Sequence, residues 1–423
     1  MNVIARKRAT DLVSRVMAPA DGGVMLARLL LLATIVTLLR WTTPAQVLEG
    51  VTYIAFACLP ELRRRLWQAL HHPAMVGLLP FAAIVVIASF YGLASWHDSI
   101  SALIGWRRLL LLPLALAVFD DEASKRLVLK VLIVVCLAGA AVSFIGLWLV
   151  LPGWLRWGVV FGNYAIQGIV FSLAIIACLA TLLRPNLFAG DRLLGDRRLA
   201  AAAIAVLVID IVFVLTGRSG YVTVVVMPLV IVTLLAAGTW RAKALAGAGV
   251  LICVGVLFVS SVQLRDRVGQ AIDEIETVDQ VSEGTSLGER VVMWRVTMRM
   301  IHDHPFFGVG TGAFADGYRP YVQGLAGWQR FESADAHNQF LKVQAEQGII
   351  GLAALLFFIF RALTCPAPAP YRQLAVAALI GWCATSLANS HFSTFVEGRL
   401  LYFWLGVMLA ATTPNTGTNA AQD

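Results

Sequence analysis

Apolar runs of roughly 18 residues or more recur along this chain, and each is long enough to cross a bilayer. Lipid offers no water to satisfy a backbone, so a spanning segment must close its own hydrogen bonds as a helix or a sealed barrel. The alternating ten-residue pattern of barrel strands is absent. Composition agrees: 59% of the 423 residues are hydrophobic and 14% charged, with mean hydropathy +0.78, where a soluble domain carries roughly 25% charged residues. The expected fold is an all-α polytopic membrane protein with about twelve transmembrane helices.

Approximate span cores fall at 24–39, 43–60, 74–95, 101–119, 127–150, 159–183, 199–216, 220–237, 244–261, 337–360, 373–390 and 399–413. Lys and Arg gather at alternate ends: Arg6, Lys7 and Arg8; Arg63, Arg64 and Arg65; Lys125 and Arg126; Arg184, Arg192, Arg197 and Arg198; Arg241 and Lys243; Arg361 and Arg372. The positive-inside bias assigns these ends, and both termini, to the cytoplasm. The basic N-terminal stretch precedes an apolar run from Met25 without an evident small-residue cleavage site, so it reads as a retained first span. Trp41, Trp96, Trp154, Trp157 and Trp240 fall near span ends, as an aromatic belt places them. The six cysteines are scattered through apolar runs and read as small buried hydrophobes, with no metal site.

Val262 to Ala336 is the one long hydrophilic stretch. The expected organisation is a nine-span bundle over 1–261, a loop domain over 262–336, three spans over 337–413, and a cytoplasmic tail over 414–423. This topology puts the loop outside, in the periplasm of a bacterium. Loops of that length are usually functional.

Several cations oppose the positive-inside bias: Arg40, Arg107, Arg108, Arg156, Arg218 and Arg399. Arg40 and Arg156 read as snorkelling or ion-paired side chains. Arg218 differs. It sits in "TGRSG", where one apolar helix ends and the next begins. A guanidinium beside helix N-terminal amides makes an anion site.

A second cation comes from the loop. "TSLGERVVMWRVTMRMIHDHP" reads as a helix with a capping box of Ser286 and Glu289, stopped near His304 by Pro305. Val292, Met293, Trp294, Val296, Met300 and Ile301 share one face, and Arg290 falls within that arc. A lone arginine on an apolar face needs an anion or a buried partner, such as Glu289 or Asp303. The following "FFGVGTGAF" suits an anion-binding nest and a tight turn equally. Asp120 and Asp121 read as a solvated cytoplasmic loop.

"SADAHNQFLKVQAEQGIIGL" opens the tenth span with polar groups. On a helix beginning near Asp335, His337, Gln344, Gly348 and Gly351 share a stripe, and Lys342 and Glu346 stand at pairing distance. His337 then faces inward at the outer mouth. Arginines nearby would lower its pKa and keep it a proton acceptor at neutral pH.

Taken together, "TGRSG", "LGERVVMWRVTMRMIHDHPFFGVGTGAF" and "HNQFLKVQAEQGIIGL" resemble the O-antigen ligase family of the O-antigen ligase/polymerase superfamily. The resemblance implies a GT-C-like, inverting, metal-independent membrane glycosyltransferase that needs no cofactor. It implies an undecaprenyl-diphosphate-linked glycan as donor and a lipid A–core sugar hydroxyl as acceptor. The site would face the periplasm from a bacterial inner membrane, with membrane lipid as its other partner and nucleic acid as none. Carried over by motif, Arg218, Arg290 and His337 are the catalytic residues, with His337 as base and the arginines as a diphosphate clamp. Arg265 and Asn338 join Arg218 and Arg290 as substrate-binding residues. An O-antigen polymerase or a protein O-oligosaccharyltransferase of the same superfamily is the alternative. Outside catalysis, a lipid-linked glycan flippase or transporter would also use about twelve spans, but with polar groups nearer mid-membrane.

Overall fold

A computed structural model describes residues 19–146, 158–215, 217–236, 238–277 and 284–411. Arg156, Trp154, Trp157, the basic cluster at 6–8 and the tail at 414–423 lie outside the described residues. The described chain is helical throughout. In order come α1 (Pro19–Leu38), α2 (Thr42–Cys58), α3 (Pro60–Leu70), α4 (Met75–Ala88), α5 (Trp96–Trp106), α6 (Leu111–Val118), α7 (Glu122–Ile145), α8 (Tyr164–Leu183), α9 (Arg197–Phe213), α10 (Arg218–Leu235) and α11 (Trp240–Ser260). The hydrophilic stretch supplies α12 (Val262–Glu276), α13 (Ser286–Asp303) and α14 (Phe314–Val322). The last three are α15 (Gln339–Thr364), α16 (Tyr371–Thr385) and α17 (Phe395–Leu409).

Each of the twelve apolar runs contains helix, with α5 and α6 sharing one of them. Fewer qualify as spans than the expected twelve. Among the described residues, six segments are long and apolar enough to cross a membrane, or seven if α3 and α4, bent by 96°, count as one. Two of the runs are shortened for a local reason. The run at 74–95 yields only the 14 residues of α4, and the run at 373–390 only the 15 of α16. Their remaining residues turn into connections that build the loop end of the bundle. At about 1.5 Å per residue, helices this short reach well under the ~30 Å of a hydrocarbon core.

Helix α17 forms the bundle's axis, buried from Val396 to Leu409. Its Arg399 is 1% exposed and meets Glu49 of α2, equally buried, at 3.0 Å. Arg107 approaches the same carboxylate at 3.6 Å, and Tyr53 donates to it at 2.6 Å. Arg108 donates to the carbonyls of Gly105 and Thr394, both at 2.6 Å. These three outer cations therefore brace the bundle. At the opposite end, Asp120 and Asp121 are not a solvated loop. Arg28 reaches both, Arg65 meets Asp120 at 2.7 Å, and Asp121 caps α7 through the Ser124 amide.

The loop folds onto the bundle around a second hydrophobic cluster. Val292, Met293, Val296, Met300 and Ile301 of α13 pack there with Phe314 and Tyr318 of α14 and with Ala345 of α15. The apolar face read from the sequence is thus buried, apart from half-exposed Trp294. Its cap sits one residue earlier than expected. Thr285, not Ser286, accepts from the Gly288 amide at 3.1 Å, because a β-region residue must precede the first helical turn.

The glycine run resolves as a tight turn. Gly308, Gly310 and Gly312 all have positive φ. The amides of Val309 and Gly310 donate to Ala345 and Glu346 carbonyls of α15 at 2.9 and 2.8 Å, and Thr311 donates to Ala88 at the end of α4. Amides spent this way leave no nest for an anion. Helix α15 accommodates the graft by breaking at Gly348 (φ 66°, ψ −168°), where Ile349 donates to Pro305.

Candidate functional site

The same end of the bundle carries a cleft of about 430 Å³. Three helix N-termini open into it: Asn163 to Ala165 at the start of α8, Gly217 to Ser219 at α10, and Ser286 and Leu287 at α13. Sequence explains the convergence. Asn163 caps α8 by accepting from Ile166, and Thr285 caps α13. Gly168 and Gly220 let α8 and α10 touch; a Cβ on Gly168 would lie 2.5 Å from Gly220 Cα. Aligned peptide dipoles make each N-terminus an electropositive end with spare N–H donors.

Arginines reinforce this field. Arg218, Arg267 and Arg290 line the cleft, opposed among its lining residues by one acid, Glu274. Glu274 takes the seat an anion would use. It accepts from Arg218 at 3.0 Å and from the Leu287 amide, on the α13 N-terminus, at 2.8 Å. Arg290 touches Ser286 Oγ at 3.2 Å, while its buried Nε–H has no hydrogen-bond partner. Burial, and then the charge of Arg218, push the Arg290 guanidinium below its usual range, against Glu274 and Glu289. A half-buried cation with an unmet donor is a site short of an anion.

The sequence-derived residues divide here. Arg218 and Arg290 meet at the cleft as expected. Arg265 turns away: its guanidinium reaches back to the carbonyls of Phe258 and Val259 at the end of α11. Arg267, two residues on, takes its place. Asn338 caps α15, accepting from Phe340 and Leu341 and donating to Leu387 at 2.9 Å. It therefore positions the segment rather than lining the cleft.

His337 lies before α15, not on it, so the stripe with Gln344 and Gly348 does not form. It is the one non-glycine with positive φ among the described residues, at 46°. Strain of this kind costs of order 1–3 kcal/mol and needs support from its surroundings. Asp335 provides that support, accepting from the His337 amide at 2.7 Å, from Ser390 Oγ at 2.5 Å and from Lys342 Nζ at 2.6 Å. Lys342 thus pairs with Asp335, not with Glu346. Burial alone would raise the Asp335 carboxyl, but Lys342 and the two hydrogen bonds outweigh it and hold it below the usual range. The His337 imidazole is pushed below its ordinary 6.5, chiefly by burial and then by Arg290 and Lys342, with Asp335 pulling the other way.

Sequence reading missed the connection between α16 and α17. There Asn389 donates to Ser219 Oγ at 3.2 Å, and buried His391 places Nε2 3.4 Å from the same oxygen. His391 Nδ1 stands 3.8 Å from Glu397, too far for a hydrogen bond, so these three do not form an assembled relay. The signal was present in "ANSHFSTFVEG", a polar break between two apolar runs on the same side as His337.

Residues 203–356 match a family model described as O-antigen ligase. That stretch belongs to the O-antigen ligase/polymerase superfamily. It runs from α9 into α15 and includes Arg218, Arg290 and His337. No curated protein matches the chain. Members of the O-antigen ligase family are glycosyltransferase-like ligases and polymerases, acting in general on lipid-linked glycans and lipid-anchored acceptors. The apolar helices make this chain a multi-pass membrane protein.

Proposed function

We propose that the chain is an O-antigen ligase that moves a glycan from undecaprenyl diphosphate to a sugar hydroxyl of lipid A–core. The reading places this at the periplasmic face of a bacterial inner membrane, with inversion and without a metal. One observation carries it: three arginines and three helix N-termini line one cleft against a single opposing carboxylate. That is the field a diphosphate requires. Its position at helix starts also suits an outer-face transferase better than a transporter, whose polar groups sit nearer mid-membrane.

In the reaction, the acceptor oxygen bonds to the anomeric carbon as the bond from that carbon to the diphosphate breaks. The electron pair leaves with the diphosphate, and His337 takes the acceptor proton. Arg218 and Arg290 offset the charge that grows on the leaving group. Glu274 must give up its seat when the donor enters.

The test is reconstitution of the purified chain with undecaprenyl-diphosphate glycan and lipid A–core. Transfer is expected. Arg290→Ala should weaken both undecaprenyl diphosphate binding and turnover, since the diphosphate is charged before and during cleavage. Glu274→Gln should tighten that binding. An inert wild-type chain, or an Arg290→Ala variant that binds and transfers normally, overturns the proposal.

A pH profile adds a second check. A base must be neutral, so activity falls as pH drops through the lowered His337 pKa. The acid limb of kcat/KM should therefore lie below 6.5, the ordinary histidine value. Asp335→Asn should move it lower still, because that carboxylate favours the charged imidazole. An acid limb that rises in this variant would contradict the assignment.

A further inference from the structure

A second, larger polar cleft of about 560 Å³ opens at the same end, between α5, α14 and the first turns of α15. Its lining includes Asp98, Ser101, Asp316, Arg319, Lys342 and Glu346, with Arg108 and Ser393 behind them. Its charge differs in kind from that of the arginine cleft. Three cations face three acids, and every cation is already held. Lys342 is bound by Asp335 at 2.6 Å, and Arg319 by Glu332 at 3.1 Å and Asp316 at 3.3 Å. Arg108 is bound by two carbonyls at 2.6 Å. The lining therefore carries no net positive charge to draw a phosphate. Carboxylates, hydroxyls and an indole from Trp106 remain, which is a lining for an uncharged polyol.

Position supplies the second observation. The connection at 389–393 runs as a partition from one cleft to the other, and Asp335, with the His337 backbone bonded to it, is tied to that partition through Ser390. Asn389 faces the arginine cleft and Ser393 the second one. Asp335, at the centre of this partition, ties Ser390, Lys342 and the His337 backbone together. His337 is within electrostatic reach of Arg290 and Glu289 and also of Asp335 and Lys342. An inverting displacement needs the nucleophile on the face of the sugar opposite the leaving group, with the base beside it. A diphosphate in the first cleft and a base in the partition leave the second cleft for the attacking hydroxyl.

We propose that this second cleft is the acceptor subsite, holding an uncharged sugar ring of the acceptor through its hydroxyls. The inference rests on the glycosyl-transfer reading above. It extends that reading by separating the two substrates on opposite sides of Asp335 and His337.

Two blocking variants test it from different walls: Ser101→Trp on α5 and Ala334→Trp on the loop. Both positions are exposed, so the indole enters the cleft without displacing core. In transfer assays, KM for lipid A–core should rise by about tenfold or more in each, with undecaprenyl diphosphate affinity unchanged. Unaltered acceptor KM in both variants overturns the proposal, as does a loss of undecaprenyl diphosphate affinity in step with the acceptor effect. A binding measurement separates this from failure of the functional reading. Delipidated, dephosphorylated core oligosaccharide should show saturation transfer in NMR with wild type and with Arg290→Ala, but not with Ser101→Trp. Transfer activity without that signal sinks the subsite alone. An inert enzyme that still gives the signal sinks the ligase reading alone.

Discussion

Replacing His337 by alanine is expected to cut glycan transfer by roughly 100-fold or more, the usual scale for losing a general base. Undecaprenyl diphosphate binding should change little. The separation follows from where the groups lie. His337 is anchored through its own backbone to Asp335, while the cleft proposed for the diphosphate is lined from α8, α10, α12 and α13. Removing the imidazole leaves those helix ends and arginines in place. The backbone strain stays where it was, since alanine at positive φ carries about the same cost as histidine, on the order of 1–3 kcal/mol. Turnover and affinity therefore need to be measured on the same preparation. Were donor affinity to fall as far as in Arg290→Ala, His337 would be a phosphate ligand and the base would have to be sought elsewhere.

A comparable loss, in stability rather than chemistry, is expected for Gly348→Ala. A Cβ there would lie 2.0 Å from Phe306 O and 2.2 Å from its carbonyl carbon. The backbone at φ 66° and ψ −168° belongs to a region open essentially to glycine alone. Neither the clash nor the torsion is relieved by a rotamer change, because backbone opposes backbone. Each costs on the order of 1–3 kcal/mol, against a folded-state margin of about 5–15 kcal/mol. Thermal unfolding in detergent should show a large drop, with the loop losing protease resistance first. Gly249→Ala is the control. It sits within α11 with nothing within 4 Å of the added methyl, and should be neutral or stabilise by about 0.5–1 kcal/mol. Equal melting of the Gly348 variant and this control would mean the graft is not held at Gly348.

Hydropathy and charge make the helical class, the long loop and two of the cleft's arginines legible in the sequence. What they missed has identifiable causes. Arg265 and Arg267 share one helix, and only packing decides which turns inward. Thr285 and Ser286 are adjacent hydroxyls that both satisfy the local capping rule. The period of α15 extends through His337 in the sequence, yet Asn338 is a preferred N-cap residue and ends the helix there. Glu274 meets Arg218 and Leu287, and Asp335 meets Ser390, only across separate elements, so no local pattern announces those contacts. Two apolar runs, at 74–95 and 373–390, continue into residues that fold as turns at the loop end.

The glycine graft bears on how chains of this architecture can be recombined. The floor beneath the loop's second core belongs to α15, and its lacing runs through the end of α4. Residues 262–336 are therefore not a cassette. Exchanging them between relatives with different acceptor preferences would transplant a roof without its joists. A working chimera would have to carry Ala88 to Gly92 and Ala345 to Gly348 along with the loop, although those residues lie outside its bounds in the sequence.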